Sequence, residues 1–351
     1  MSNNKKPGLF GLCNSNRDFT IKESWGKNQF NSSFPASLSC YLSSKNKSGI
    51  YLSIKNGNFG QYEISIKKAF GIDPLNSNTY FAFESTYTPF QKYVVGTLPR
   101  TDLVIQNHRT GECLSGLEVK LTALPDNTTC ELSDRKYGSE IVVRPDTIVY
   151  LACSIARGLG NRLNSHIGQP MKVKDWTDPS LALTVVDKIV ATIRKLSLEL
   201  EKNQTAFLLQ PIWKTLGKSP QLSNNCLDVF IWSDAGFMSF ISEIASQDTN
   251  ANKITRQTRT AIWLYKMLLD ISQHNKFNHS RIIDELSYNT KNDKAFASAG
   301  NVTNKYMACP RLENPAITKN ELKNIILNGG QQLLSPERRF DAIIYNSPEL
   351  F

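Results

Sequence analysis

Apolar and polar positions alternate with a period of two over YLSIK (51–55) and QYEISIKKAF (61–70). With the turn composition NGNFG between them, the pattern predicts two strands. Two more apolar runs, in TDLVIQ (101–106) and GLEVKLT (116–122), flank the bend Asn107-His108-Arg109-Thr110-Gly111 and predict a hairpin. If the hairpin is centred near Thr110, opposed residue numbers sum to about twice 110, and Asp102 faces Glu118. Helical spacing appears in DPSLALTVVDKIVATIRKLSLELEK (178–202), which places Leu181, Val185, Ile189, Ile193 and Leu196 near one face. Asp178-Pro179 supplies its start signal, so one helix is predicted over 179–203. A second helix is predicted over 254–273, with TAIWLYKMLLDI as its apolar part. CLDVFIW (226–232) reads as a short buried strand, and Ser233-Asp234 as the cap of a helix through SFISEIA.

Other stretches are less decided by pattern. Residues 27–44 suggest a helix interrupted by Pro35, residues 79–95 a helix or a strand, and residues 140–157 a helical or mixed segment. Residues 287–305 are small and polar, as a linker or mobile loop would be. A last helix is expected near 318–328, ending at Gly329-Gly330. No internal repeat or low-complexity tract is present.

Composition narrows the classes. With 351 residues, 40% of them hydrophobic, the chain can bury a sizeable core in one large or two modest domains. Forty-one Lys and Arg against 31 Asp and Glu leave a formal charge of +10, which suits a polyanionic partner. A generic basic protein is the bland alternative. No secretory signal stands at MSNNKKPGLFGLC, and no stretch reaches the ~18 apolar residues of a membrane span. The seven cysteines are scattered singly with no Cys-x-x-Cys, which fits a reducing cytoplasm and gives no zinc knuckle.

The predicted hairpin carries charges where a buried strand would have none. Side chains alternate faces along a strand, so Glu118 and Lys120 share one side while Val119 takes the other. Asp102, Glu118 and Lys120 then converge on one patch, and Gly116 lets another backbone or a ligand come close. Opposed carboxylates repel, and a divalent cation removes the conflict; carboxylate oxygens are the hard ligands that magnesium prefers. A neighbouring lysine can orient an attacking water or balance charge on phosphate. The chemistry expected is metal-assisted phosphodiester hydrolysis. The structural alternative is a hairpin edge with an ordinary exposed Glu/Lys pair.

Asp102 followed by Glu118-Val119-Lys120 resembles the PD-(D/E)xK nuclease signature, with Thr101 where that motif has its proline. The runs GLFGLCNSNRDFTIKESWGKNQFNSSFPASLSCYL, PRTDLVIQNHRTGECLSGLEVKLTALPD and SEIVVRPDTIVYLACSIA resemble the HindVP-type family of type II restriction endonucleases. The resemblance implies an α/β fold, a PD-(D/E)xK nuclease-like mixed central sheet flanked by helices, with helical additions toward the C-terminus. It implies a homodimer that cuts double-stranded DNA at a short palindrome, GRCGYC being the site associated with the family, as part of a restriction-modification system. Mg2+ is the expected cofactor, with Asp102, Glu118 and Lys120 catalytic and the metal held by Asp102, Glu118, the Val119 carbonyl and an upstream acid. Glu84 is the first candidate for that acid and Glu63 the next.

DNA contact is expected from Arg135, Lys136, Arg144, Lys172, Lys174, Arg256 and Arg259, with Trp176 beside the two lysines and Asn14, Asn16 and Arg17 as further polar candidates. Most basic surface residues touch nothing in particular. Three decoys are set aside. Gly49-Ile50-Tyr51 and Tyr93-Val94-Val95-Gly96 lie too far apart for a GIY-YIG nuclease. His274 to His279 stands just past a helix end, where His and Asn cap. Asp228 and Asp234 have no lysine at strand spacing. No phosphate-binding G-x-x-x-x-G-K-[ST] occurs, so no nucleotide cofactor is expected, and no membrane partner. Residues 1–290 are expected to form the catalytic and DNA-recognition region, and 291–351 a helical extension packed on the same domain. A non-catalytic DNA-binding protein and a PD-(D/E)xK repair or junction nuclease are the alternatives.

Overall fold

The computed structural model describes residues 14–16, 36, 39–55, 58–117, 119–120, 141–202, 207–208, 213–216, 219–222, 230–231, 234–247, 252–288, 290, 294–298 and 301–302. The last expected helix, near 318–328, lies outside them, and of the helix expected over 27–44 only residues 36 and 39–44 are described, as helical.

Strand β1 (Gly49–Lys55) pairs antiparallel with β2 (Asn58–Ile64) from Gly49↔Ile64 to Lys55↔Asn58. The turn predicted at NGNFG begins at Asn56-Gly57, which lie outside the described residues. The strand pattern of QYEISIKKAF stops at Ile64. Ser65 accepts a hydrogen bond from the Lys68 amide (3.3 Å) and caps helix α1 (Ile66–Phe70), so local capping overrides the period-two pattern. Strands β3 (Thr79–Ser85), β4 (Thr101–Asn107) and β5 (Cys113–Leu117) form a separate antiparallel sheet in that order, with a 3-10 turn at Thr88–Tyr93 between β3 and β4. The undecided stretch 79–95 is thus strand followed by 3-10 turn. The predicted hairpin is present with its expected register: Leu103↔Leu117, Val104↔Gly116 and Ile105↔Ser115 pair before a bulge at Gln106.

The chain then changes sheets. Strand β6 (Val119–Lys120) pairs not with β4 but with β11 (Phe230–Ile231), at the edge of a five-stranded sheet ordered β2-β1-β8-β11-β6, in which β8 is Phe207–Leu208. Strand β7 (Ile141–Val143) pairs with β12 (Phe296–Ser298), and β9 (Trp213–Leu216) with β10 (Ser219–Leu222). A mixed sheet was expected, yet every ladder among the described strands is antiparallel; parallel contacts are the isolated bridges Ser15–Phe81 and Val94–Phe277. A short turn such as the one closing β4–β5 can join strands only antiparallel. The segment 287–305 is not wholly a loop, because Phe296 is buried in the core and β12 binds β7.

Helices cover one face of the β3–β4–β5 sheet. Helix α2 (Pro145–Leu159) starts with Pro145 in its first turn and buries Ile148, Val149, Tyr150, Leu151, Ala152, Cys153, Ile155 and Ala156. Burial on nearly every side makes it a central helix. It packs on β4 and on helix α7 (Arg256–His274). Helix α3 (Arg162–Ile167) follows it. The single helix expected over 179–203 is two, α4 (Pro179–Leu183) and α5 (Val186–Glu201). At the break Thr184 Oγ1 donates to the Leu181 carbonyl (2.7 Å), and the β-branched run Thr184-Val185-Val186 resists continuation. Helix α6 (Asp234–Ser246) packs between α5 and α7, with the Ser197 hydroxyl donating to the Ala235 carbonyl (2.9 Å). A Thr255/Thr258 capping box opens α7, and Asn275, left-handed at φ 61°, closes it. Helix α8 (His279–Glu285) is capped by Asn278, which accepts from the Arg281 amide (3.0 Å). The His274–His279 stretch therefore does the capping work expected of it.

Candidate active site

The β3–β4 ladder places one acid of the predicted set against another. Phe83↔Leu103 and Ser85↔Thr101 pair, so Glu84 stands opposite Asp102 between them. On the other side of β4, Leu103↔Leu117 is the last pair before position 118. Asp102 alternates onto the face of Val104, which is wholly buried in the helix-covered core, yet Asp102 itself lies half-buried at the end of that face. Glu84 is also half-buried and breaks the strand geometry, with φ at +45°. A non-glycine residue there stores strain on the order of 1–3 kcal/mol, so the surrounding structure must hold it.

Three polar side chains do the holding. The Asn16 side chain acts as an additional strand edge: its Oδ1 accepts from the Phe83 amide (2.8 Å) and its Nδ2 donates to the Phe83 carbonyl (3.0 Å). Tyr150 reaches from α2 to both approaches to the acids. Its hydroxyl accepts from the Tyr87 amide (3.0 Å) and donates to the Pro99 carbonyl (2.9 Å). Thr101 Oγ1 donates to the Leu117 carbonyl (3.0 Å), a buried bond that fixes the end of β5 against the start of β4. A proline at 101 could not make it, so the departure from the nuclease signature has a structural use. Gly116 is the close-approach position, and the neighbour is protein: a Cβ there would lie 2.9 Å from Cγ of the buried Tyr87 ring. Arg157 on α2 donates to the Tyr87 hydroxyl (2.6 Å) and pins that ring.

The remaining expected site residues divide. Glu118 lies outside the described residues, as do Arg135, Lys136 and Arg17, and Val119 and Lys120 are described only as strand β6. Among the described residues no three His, Cys, Asp or Glu side chains gather to hold a metal. Glu84 and Asp102 contribute two hard oxygen donors, a set that fits Mg2+ rather than a soft metal. Glu63 is exposed on β2, in the other sheet. Asp234 opens α6 and accepts from the Ser154 hydroxyl; Asp228 lies outside the described residues.

Of the basic candidates, Arg144 is exposed at the start of α2, Lys172 and Lys174 are exposed before α4, and Arg256 is half-buried in the first turn of α7. Trp176 turns inward instead of toward a ligand, 6.0 Å from the Tyr265 ring, and its carbonyl accepts from Tyr288 (2.7 Å). Arg259 departs from the expectation of a DNA contact. It is 1% exposed, its guanidinium lies 4.4 Å over the Trp263 ring, and it donates to Thr290 and to the Lys294 carbonyl. That arginine ties the segment after α8 to the core. Asn16 and Asn14 likewise serve the protein backbone, Asn14 donating to the Ser77 carbonyl (3.2 Å). Sequence reasoning missed Tyr150 because it sits in an apolar run and looks like ordinary core.

The profile of the HindVP restriction endonuclease family matches residues 25–351. A probable type II restriction enzyme HindVP of Haemophilus influenzae is 54% identical over 350 residues, covering 99% of this chain and 96% of that protein. The type II restriction enzyme HgiDI of Herpetosiphon aurantiacus is 43% identical over 350 residues, covering 99% and 97%. No solved structure matches the chain significantly. With the family profile spanning nearly the whole length and two relatives well above 30% identity, the chain belongs to the HindVP restriction endonuclease family.

Proposed function

We propose that this chain cuts double-stranded DNA at a short palindrome with Mg2+ held by Asp102, Glu84, Glu118 and the Val119 carbonyl, and with Lys120 beside the reacting phosphate. The family and its two named relatives make the chain a type II restriction enzyme, a site-specific deoxyribonuclease. The observation that carries the finer reading is Glu84 standing opposite Asp102, one ladder step from the strand that leads to Glu118. When bound, Mg2+ would neutralise charge on the phosphate and ease deprotonation of water. The chain's own groups do the rest. Asp102 and Glu84 concentrate negative charge at one sheet end, and the Lys120 ammonium donates hydrogen bonds to a non-bridging phosphate oxygen or to the attacking water. The net charge of +10 draws DNA to the protein, and binding weakens with salt as counterions are released.

A PD-(D/E)xK-like catalytic core follows from the Asp102, Glu118-Val119-Lys120 order. A homodimer, two protomers about a twofold axis, would match a palindrome half-site by half-site. GRCGYC is the proposed site, within a cytoplasmic restriction-modification system whose methyltransferase protects host DNA. No helix of the described residues is long and apolar enough to cross a membrane. Exposed Arg144, Lys172 and Lys174 and half-buried Arg256 remain the described candidates for DNA contact.

Digestion of unmethylated plasmid, followed by sequencing of the ends, tests the reading. Discrete fragments are expected with Mg2+ and none with EDTA. Asp102→Ala and Lys120→Ala should bind DNA without cutting it. Cutting by either variant at the wild-type rate would remove the proposed site.

A further inference from the structure

The acids Glu84 and Asp102 sit on strand ends that are far apart in sequence, and one hydroxyl touches both approaches. Tyr150 accepts from the amide of Tyr87, three residues after Glu84, and donates to the carbonyl of Pro99, three residues before Asp102. The phenol is 7% exposed and the ring packs against Phe90, with centroids 5.8 Å apart. These two hydrogen bonds are to backbone, so they fix chain position rather than side-chain charge. Glu84 has the left-handed φ of +45°, a conformation that relaxes unless its neighbours are held. Asn16 holds the residue before it from the outer edge. Between the two approaches, Phe277 donates to the Tyr93 carbonyl (2.9 Å) and accepts from the Val95 amide (2.9 Å), while Tyr150 bonds to both the Tyr87 and Pro99 ends.

We propose that the Tyr150 hydroxyl is a positioning group that sets the separation of the Glu84 and Asp102 carboxylates by tying both strand ends to helix α2. This rests on the reading of those carboxylates as metal ligands. Groups that orient metal ligands from outside typically change metal affinity by about 10–100-fold. Tyr150→Phe keeps the ring and deletes the bonds to the Tyr87 amide and the Pro99 carbonyl, the two that form the clamp.

The experiment measures Mn2+ binding to the full-length protein by calorimetry, without DNA, and the Mg2+ dependence of plasmid cleavage. For Tyr150→Phe, Mn2+ affinity should fall about tenfold, and half-maximal cleavage should need about tenfold more Mg2+. Saturating Mg2+ should restore most of the rate, and the KM for DNA should stay at the wild-type value. A merely structural role would lower the melting temperature without moving the metal dependence. Asp102→Asn is the control for the underlying reading and should lose both binding and cleavage. If Asp102→Asn is silent, the metal-ligand reading fails. If Asp102→Asn is inactive while Tyr150→Phe binds and uses metal like wild type, only the clamp is overturned. Should Tyr150→Phe not fold at the assay temperature, both measurements are made below its melting temperature, and wild-type metal dependence there overturns the proposal equally.

Discussion

The two ends of the β3–β4–β5 sheet are held in opposite ways. At the turn end, Asn107 Oδ1 accepts from the amides of Arg109 (2.9 Å) and Thr110 (3.3 Å), and Gly111, at φ 71°, donates back to the Asn107 carbonyl (2.8 Å). Those bonds span two to four residues and build the turn from its own composition. At the acid end the bonds span 67 residues to Asn16 and 63 and 51 residues to Tyr150. About 17 Å of strand separates Asp102 from Asn107, at ~3.4 Å per residue. A turn that folds by itself fixes register along the whole hairpin. The strained acid end is held by contacts from helix α2 and from Asn16. The placement of the two acids is thus a tertiary property, whereas the register beneath it is local.

The largest effect should come from removing an acid at the clamped end. Glu84→Gln keeps volume and hydrogen-bonding capacity and removes a negative charge from the pair opposed across β3 and β4. If Glu84 holds metal as proposed, several kcal/mol of transition-state stabilisation is lost, and cleavage of plasmid at fixed Mg2+ should fall by about 10³. Arg109→Ala at the turn tip should leave the Mg2+ dependence of cleavage unchanged. Equal effects from the two variants would erase the distinction between the ends.

Next in size is a change midway between the ends. A methyl at Gly116 would meet the Tyr87 ring at 2.9–3.3 Å, and that ring is 3% exposed and held by Arg157. Neither partner has room to yield, so Gly116→Ala should cost about 1–3 kcal/mol in denaturant unfolding. Because Tyr87 carries the amide that Tyr150 binds, the same variant should raise the Mg2+ requirement.

These contrasts also mark what the sequence could tell. The hairpin register was legible, because the bend composition and the strand lengths fix it and Leu103↔Leu117 obeys it. Helix α7 was legible from its 3.6-residue period, and Arg256–His274 agrees with the expected 254–273. Arg259 was expected to contact DNA, although it lies four residues before Trp263, on the apolar stripe, and that spacing was the available signal. Glu84 was legible as a candidate by proximity alone. Its left-handed backbone was not, since no glycine marks the position and the strain is imposed by distant contacts. The partner of LEVK was hidden too: β6 leaves β4 for β11, a strand more than 100 residues later, and no local pattern encodes that choice. Tyr150 and Asn16 act from their side chains on backbone atoms of distant residues, and the sequence around those residues carries no sign of it.

The smallest expected effect tests the local end by itself. Asn107→Ala removes the acceptor for two amides at an exposed turn, where water can replace it, so the loss should be about 1 kcal/mol or less. The turn keeps other support: Asn107 donates to the Glu112 carbonyl (2.8 Å), His108 donates to the Asn78 carbonyl (2.6 Å), and the His108 ring stacks on Tyr80 at 5.3 Å. Register should therefore survive, and with it the opposition of Glu84 and Asp102. The melting temperature should drop slightly, while Mn2+ affinity and the Mg2+ dependence of cleavage stay at wild-type values. A loss of metal affinity from this distant, solvent-facing change would mean that register is not set by the strands once formed but transmitted continuously from the turn, and the two ends would have to be treated as one unit.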